Sequence, residues 1–259
     1  YLLLHGELPT AAELQQFHGR VAAARHLPPP LAPLFAALPD STTPLDALRT
    51  AVSVLGHFDP DAADGSRAAN LRKAERLLAQ IPVAIAAHYR ISKGQEPIAA
   101  RPDLGHAANF LYMLRGSEAS PEEVKALDVS LTLYAEHEFN ASTFTARVIV
   151  STMSDLHAAV VGAIGALKGP LHGGANEKVV DIVRAAGTPD TAEPWTLAAL
   201  ARKERIMGFG HRVYKAGDVR AGILKGYAER AAAAAGPGFV ALEETAAVIE
   251  RVMAREKNM

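Results

Sequence analysis

Three histidines stand out by the residues around them. His172 lies in Gly169-Pro170-Leu171-His172-Gly173-Gly174, where flanking glycines permit unusual backbone angles and let a ligand approach the main chain closely. His211 follows Gly208-Phe209-Gly210 and precedes Arg212, Lys215 and Arg220, a cluster of cations that suits a phosphate or carboxylate partner. His137 sits between Glu136 and Glu138, with Asn140, Ser142 and Thr143 following, so hydrogen bonds are placed to order its ring. Each setting lets an imidazole face a ligand. A packing or capping role is the alternative for any one of them, and a solvated face is the alternative for Arg212, Lys215 and Arg220. A zinc triad is the other functional reading, but no pair of these histidines has local ligand spacing, and no metal is expected.

The remaining histidines, His5, His18, His26, His57, His88, His106 and His157, have no flanking chemistry and read as surface or packing residues. There is no GxxxxGK[ST] loop, no HExxH pair and no GxSxG elbow. Gly208 and Gly210 begin a GxG, but Val213 occupies the third glycine position, which argues against a dinucleotide site. Gly162, Gly165 and Gly169 are spaced as on a helix and read as close-packing positions rather than a phosphate cradle.

Helices must position these groups. Thr10 with Glu13 forms a capping box ahead of Leu14, Phe17, Val21 and Ala24 at helical spacing. Thr43 as N-cap and Pro44 at the first helical position open a second helix through Leu45, Leu48, Val52 and Leu55, with Gly56 placed to end it. Ser120, Pro121 and Glu123 repeat this start, and Val124, Leu127, Leu131 and Tyr134 form an apolar stripe leading toward His137. An alanine-rich stretch from Ser142 to Leu167 follows, and the last segment aligns Leu242, Ala246, Ile249 and Met253 on one face. Period-two alternation and hairpin turns are hard to find, so the fold class expected is all-α. Glycine-rich turns near residues 169 to 174 mark the domain boundary, giving a larger domain at 1–172 and a smaller one at 173–259.

The composition agrees with an ordinary globular chain. At ~150 residues per domain, 259 residues make one or two domains. Hydrophobic residues are 49% and charged residues 21%, which excludes disorder and collagen-like repetition. The formal charge of −1 supplies no net field toward nucleic acid or acidic membranes, so neither is an expected partner. Cysteine is absent, which removes disulfides and thiolate chemistry and fits a reducing cytoplasm. No apolar run approaches the ~20 residues needed to span a bilayer. The sequence opens at Tyr1 in mid-run and reads as part of a longer chain.

The strings YAEHEFNASTFTAR (134 to 147), IGALKGPLHGGANE (164 to 177) and IMGFGHRVYKAGDVR (206 to 220) resemble the three signature blocks of the citrate synthase family. LLLHGELPT (2 to 10) and LPDSTTPLDALRTAVSVLG (38 to 56) are similar to that family as well, so the likeness covers essentially the whole chain. The PLDALRT segment and the first block look most like the bacterial 2-methylcitrate synthases, and bacterial citrate synthases share nearly the same blocks. The resemblance implies a two-domain, all-helical homodimer that closes over a cleft and condenses oxaloacetate with a short acyl-CoA, the coenzyme A thioester being substrate and no other cofactor being needed. It also implies roles for individual residues. His172 hydrogen-bonds the thioester carbonyl as the α-carbon loses a proton, and His211 holds and polarises the oxaloacetate ketone. His137 and Arg220 bind oxaloacetate, and Lys215 is the local candidate for a coenzyme A phosphate. Val219 departs from the proline usual before this arginine. The family's general base is an aspartate in a PNxDF-like motif that does not occur in this sequence, and neither Asp155 nor Asp218 matches its position. Two further oxaloacetate-binding arginines are expected downstream of Met259, so these 259 residues are expected to be an incomplete copy and inactive alone. A catalytically dead helical scaffold kept for dimerisation is the rival from another class.

Overall fold

The computed structural model describes residues 1–210 and 218–257, and only the backbone of residues 175–177. All the regular elements among the described residues are helices, and no strand occurs among them. The chain divides into two compact units, one built from Tyr1–Val124 and His137–Lys168, the other from Lys125–Glu136 and Gly169–Met259.

In the first unit the helices begin where local chemistry dictates. Helix α1 is the short Leu2–His5 turn, and α2 (Ala11–Ala23) starts on the complete Thr10/Glu13 capping box. After α3 (Leu31–Ala36), α4 (Pro44–His57) opens on Thr43, whose hydroxyl accepts from the Asp46 amide. Helix α5 (Arg67–Ser92) is capped by Ser66 and carries Pro82 in its interior, and α6 (His106–Arg115) ends on the left-handed Gly116. The capping box of Ser120 and Glu123 opens α7 (Pro121–Tyr134). Leu31, Phe35, Val52, Leu55, Leu77 and Ile164 meet in the main core of this unit.

Three details depart from the sequence reading. Gly56 does not end α4, which continues to His57. A Cβ at Gly56 would lie 3.1 Å from the His157 Cβ, so the glycine lets α4 approach the helix that carries His157. The stretch from Ser142 to Leu167 is two helices, α8 (Ala141–Val150) and α9 (Leu156–Leu167), because Asp155 caps the second by accepting from the Ala158 amide at 2.9 Å. Met153 lies between them with a left-handed φ of 63°. Of the three spaced glycines, Gly162 is the packing position: a Cβ there would fall 2.2 Å from Ile149 Cδ1 of α8, whereas Gly165 faces open space and Gly169 lies beyond the end of α9.

A buried ionic cluster ties the Asp59-to-Ser66 loop to α5 and α9. Arg76 grips Asp59 through Nε at 2.9 Å and Nη2 at 2.6 Å, and reaches Asp61 at 2.6 Å. Lys73 is almost completely buried and donates its Nζ to the Asp64 carbonyl at 2.7 Å.

The second unit is built on α10 (Gly174–Ala186), α11 (Pro189–Ala201), α12 (Val219–Ala235) and α13 (Pro237–Lys257). Its core joins Val183, Ala192, Ala199, Ile206, Ile249 and Met253, with Leu242 and Ala246 packed against it. The apolar face expected of the final helix is therefore the face that α13 turns inward. Apolar burial at ~25 cal/mol per Å² is what holds such a helix in place.

Candidate active site

His137 lies three residues beyond the end of α7, at the start of the second stretch of the first unit. Its imidazole is half-buried, and its carbonyl accepts from Asn140 Nδ2 at 3.4 Å. Asn140 is also the N-cap of α8, accepting from the Thr143 amide at 3.0 Å. Ser142 Oγ donates to the Ala163 carbonyl at 2.9 Å, which fastens the first turn of α8 to α9. Glu138 holds a left-handed φ of 51°, an unfavourable conformation for a residue with a Cβ, kept because caps and hydrogen bonds on either side determine the path. Asn140 and Ser142 thus act on the backbone that presents His137.

His172 occupies the turn between α9 and α10 in the second unit. Its amide donates to the Gly169 carbonyl at 2.9 Å, closing the turn, and Gly173 is the N-cap of α10. The imidazole is half-buried at a helix start, where unpaired N–H groups create partial positive charge.

The approach to His211 is also fixed by glycines. Gly208 has φ 98° and Gly210 has φ 79°, both in the left-handed region. A Cβ at Gly208 would lie 3.0 Å from Val179 Cγ2 of α10, and Phe209 packs against the core of the second unit. His211, Arg212 and Lys215 lie outside the described residues.

Arg220 stands in the first turn of α12. Asp218, the N-cap, accepts from the Arg220 amide at 3.0 Å and also clasps its guanidinium, with Nε at 2.9 Å and Nη2 at 2.6 Å. The Tyr134 ring lies under the same guanidinium, 5.0 Å from Cζ to the ring centroid. The sequence pattern places Tyr134 on an apolar stripe and gives Asp218 no role. The available signal was the Asp-x-Arg spacing, in which one carboxylate reaches both a first-turn amide and the side chain two residues on. Val219 opens the helix with its side chain exposed, at a first-turn position where the proline usual in the family would also be tolerated. Helix α7 contributes no fully buried side chain: Val124 and Leu127 are half-buried, and Leu131 and Tyr134 are exposed.

Asp155 and Asp218 are both occupied as helix caps. Among the described residues, no three His, Asp or Glu side chains gather to hold a metal ion.

Helical packing throughout, a histidine in a glycine-bracketed turn and an arginine clasped at a helix start are the features set beside known proteins. The family described as citrate synthase, C-terminal domain, matches residues 1–259. A 2-methylcitrate synthase from Mycobacterium tuberculosis is 51% identical over 230 residues, 89% of this chain and 58% of that protein. Citrate synthase 2 of Bacillus subtilis is 49% identical over 231 residues, 89% of this chain and 62% of that one. The citrate synthase of Thermoplasma acidophilum, solved as a ternary complex with carboxymethyl coenzyme A and oxaloacetate, superposes with a TM-score of 0.93 at 31% identity, covering 98% of this chain and 67% of that one. The chain belongs to the citrate synthase family. It spans about three-fifths of the length of these two curated relatives.

Proposed function

We propose that the protein condenses a short acyl-CoA with oxaloacetate and releases coenzyme A, with propionyl-CoA as the preferred thioester and 2-methylcitrate as product. The observation that carries this reading is the likeness, over 98% of the chain, to a citrate synthase solved with oxaloacetate and a coenzyme A analogue. His172 donates a hydrogen bond to the thioester carbonyl. Removing the α-proton builds negative charge on that oxygen, and a donor fixed where the charge appears lowers the barrier. The start of α10 beside His172 favours the same charge. His211 polarises the ketone of oxaloacetate, His137 and Arg220 hold its carboxylates, and Lys215 meets a coenzyme A phosphate. No residue of this chain is assigned as the base that takes the proton.

The choice of propionyl-CoA rests on the PLDALRT and YAEHEFNASTFTAR segments and on the 51% identity to a 2-methylcitrate synthase, set against 49% to a citrate synthase. One methylene is worth only ~1 to 3 kcal/mol in an apolar pocket, so acetyl-CoA is a slower substrate rather than an excluded one. We also propose a homodimer acting in the cytoplasm. Phe144 and Val148, one turn apart on α8, with Phe139 and Met153 near its two ends, are exposed, and exposed apolar side chains of this kind are suited to covering by a second copy. No described helix is long and apolar enough to cross a membrane.

The test is thiol release from the full-length protein mixed with oxaloacetate and either acyl-CoA. A higher kcat/KM for propionyl-CoA supports the full reading, and a higher value for acetyl-CoA replaces it with citrate synthesis. Release of no coenzyme A above background from either thioester leaves the helical scaffold as the better description.

A further inference from the structure

We infer that Tyr134 is a positioning residue for Arg220, holding its guanidinium in the orientation that meets a planar carboxylate; this deepens the reading of Arg220 as an oxaloacetate ligand and rests on it. Both residues belong to the second unit. Asp218 fixes the guanidinium in its own plane through Nε and Nη2, but a clasp along one edge still permits the plane to rock. The Tyr134 ring, 5.0 Å from Cζ, adds a constraint out of that plane, because a cation held over an aromatic quadrupole loses attraction when it moves away. The Arg220 side chain is 13% exposed, while Tyr134 is 54% exposed. A residue so accessible contributes little by burial, and its contact with Arg220 is the feature that sets it apart on α7. Fixing a ligand-binding group before the ligand arrives lowers the entropy lost on binding.

The experiment compares Tyr134→Leu, Tyr134→Phe and Arg220→Lys, alone and combined, in the full-length protein, by calorimetric binding of oxaloacetate and by the 15N–1H signal of the arginine side-chain Nε. In the unmodified protein the Arg220 resonance, assigned by its loss in Arg220→Lys, is expected to carry a ring-current shift. Tyr134→Leu abolishes that shift and weakens oxaloacetate binding by roughly three- to tenfold, as expected for loss of one cation–π contact. Tyr134→Phe, which keeps the ring, restores both. In the Arg220→Lys background the leucine substitution adds less than twofold. An equal weakening in both backgrounds overturns the inference, as does a shift unchanged by Tyr134→Leu. Failure of the underlying reading looks different: the unmodified protein then shows the ring-current signature but no binding of oxaloacetate, which ends the positioning role together with the ligand role.

Discussion

The His157 imidazole lies 3.5 Å from the Asp59 carboxylate, and both side chains are almost sealed from solvent. Burial holds the histidine below its ordinary pKa of about 6.5; Asp59 and Asp155 oppose that shift, while Lys73 and Arg76 add to it. Once unfolded, the histidine regains its ordinary affinity for a proton. Below pH ~6.5 the unfolded chain therefore takes up a proton that the folded one resists, and stability present above that pH is lost as the pH falls toward the depressed value. The melting temperature is expected to fall between pH 7 and pH 5, and His157→Gln to flatten that slope. The carboxylates of Glu75 and Asp61, lowered mainly by hydrogen bonds from Arg20 and Arg72 respectively, act in a more acidic window, so the two contributions separate on a pH scan.

Arg76 and Arg72 both pair with aspartates of the same loop, yet they differ in what removal leaves behind. Arg76→Ala leaves the Asp59 carboxylate, whose side chain is 2% exposed, without its guanidinium although the Asp61 amide still donates to it at 2.8 Å, and loss of one partner of a buried ion pair costs about 3 to 5 kcal/mol. Arg72 is half exposed, and its partner Asp61 keeps Arg76; Arg72→Ala is expected to cost about 0 to 1 kcal/mol. Urea denaturation of the two variants decides between these values, and equal losses would contradict the assignment of Asp59 as the buried member.

Gly162 and Ile149 form a second testable pair. Alanine in a helix interior is favoured over glycine by about 1 kcal/mol, but here the added methyl meets Ile149 Cδ1. Gly162→Ala is expected to yield its full propensity gain only in an Ile149→Val background, where that methyl is absent. In the unmodified background the clash offsets the gain, so thermal melts of the four variants should be non-additive by about 1 kcal/mol.

Under the proposed condensation, His172→Ala in the full-length protein is expected to lower kcat by about 10² to 10³, the usual effect of deleting one donor to a developing oxyanion. The residue lies in a turn and is only half-buried, so the melting temperature should change far less than turnover. Stopped-flow thiol release together with a melting curve checks both statements. A large loss of stability with unchanged turnover would make His172 a packing residue.

Local chemistry made much of the fold readable. Thr10, Thr43 and Ser120 each announce a helix through atoms within three residues, and all three act as expected. Gly56 misled because its reason lies about a hundred residues away, in the close approach of His157. The break between α8 and α9 is masked by the alanines on either side of it, although Val148 to Thr152 is a run of β-branched and hydroxyl residues ahead of the Asp155 cap. At the candidate site, motif likeness picked out His137, His172 and Arg220. It did not show that Asp218 and Tyr134 constrain Arg220, because that arrangement needs α7 and α12 brought together in space.

The deeply placed Lys73 also turns this protein into a recorder of its own motion. Its amine is capped by the Asp64 carbonyl and shielded from solution, so an acylating reagent can reach it only during moments when the covering segment lifts. Surface lysines would react first, whereas labelling at this position would lag behind them and follow the frequency of those openings, read peptide by peptide in a mass spectrometer.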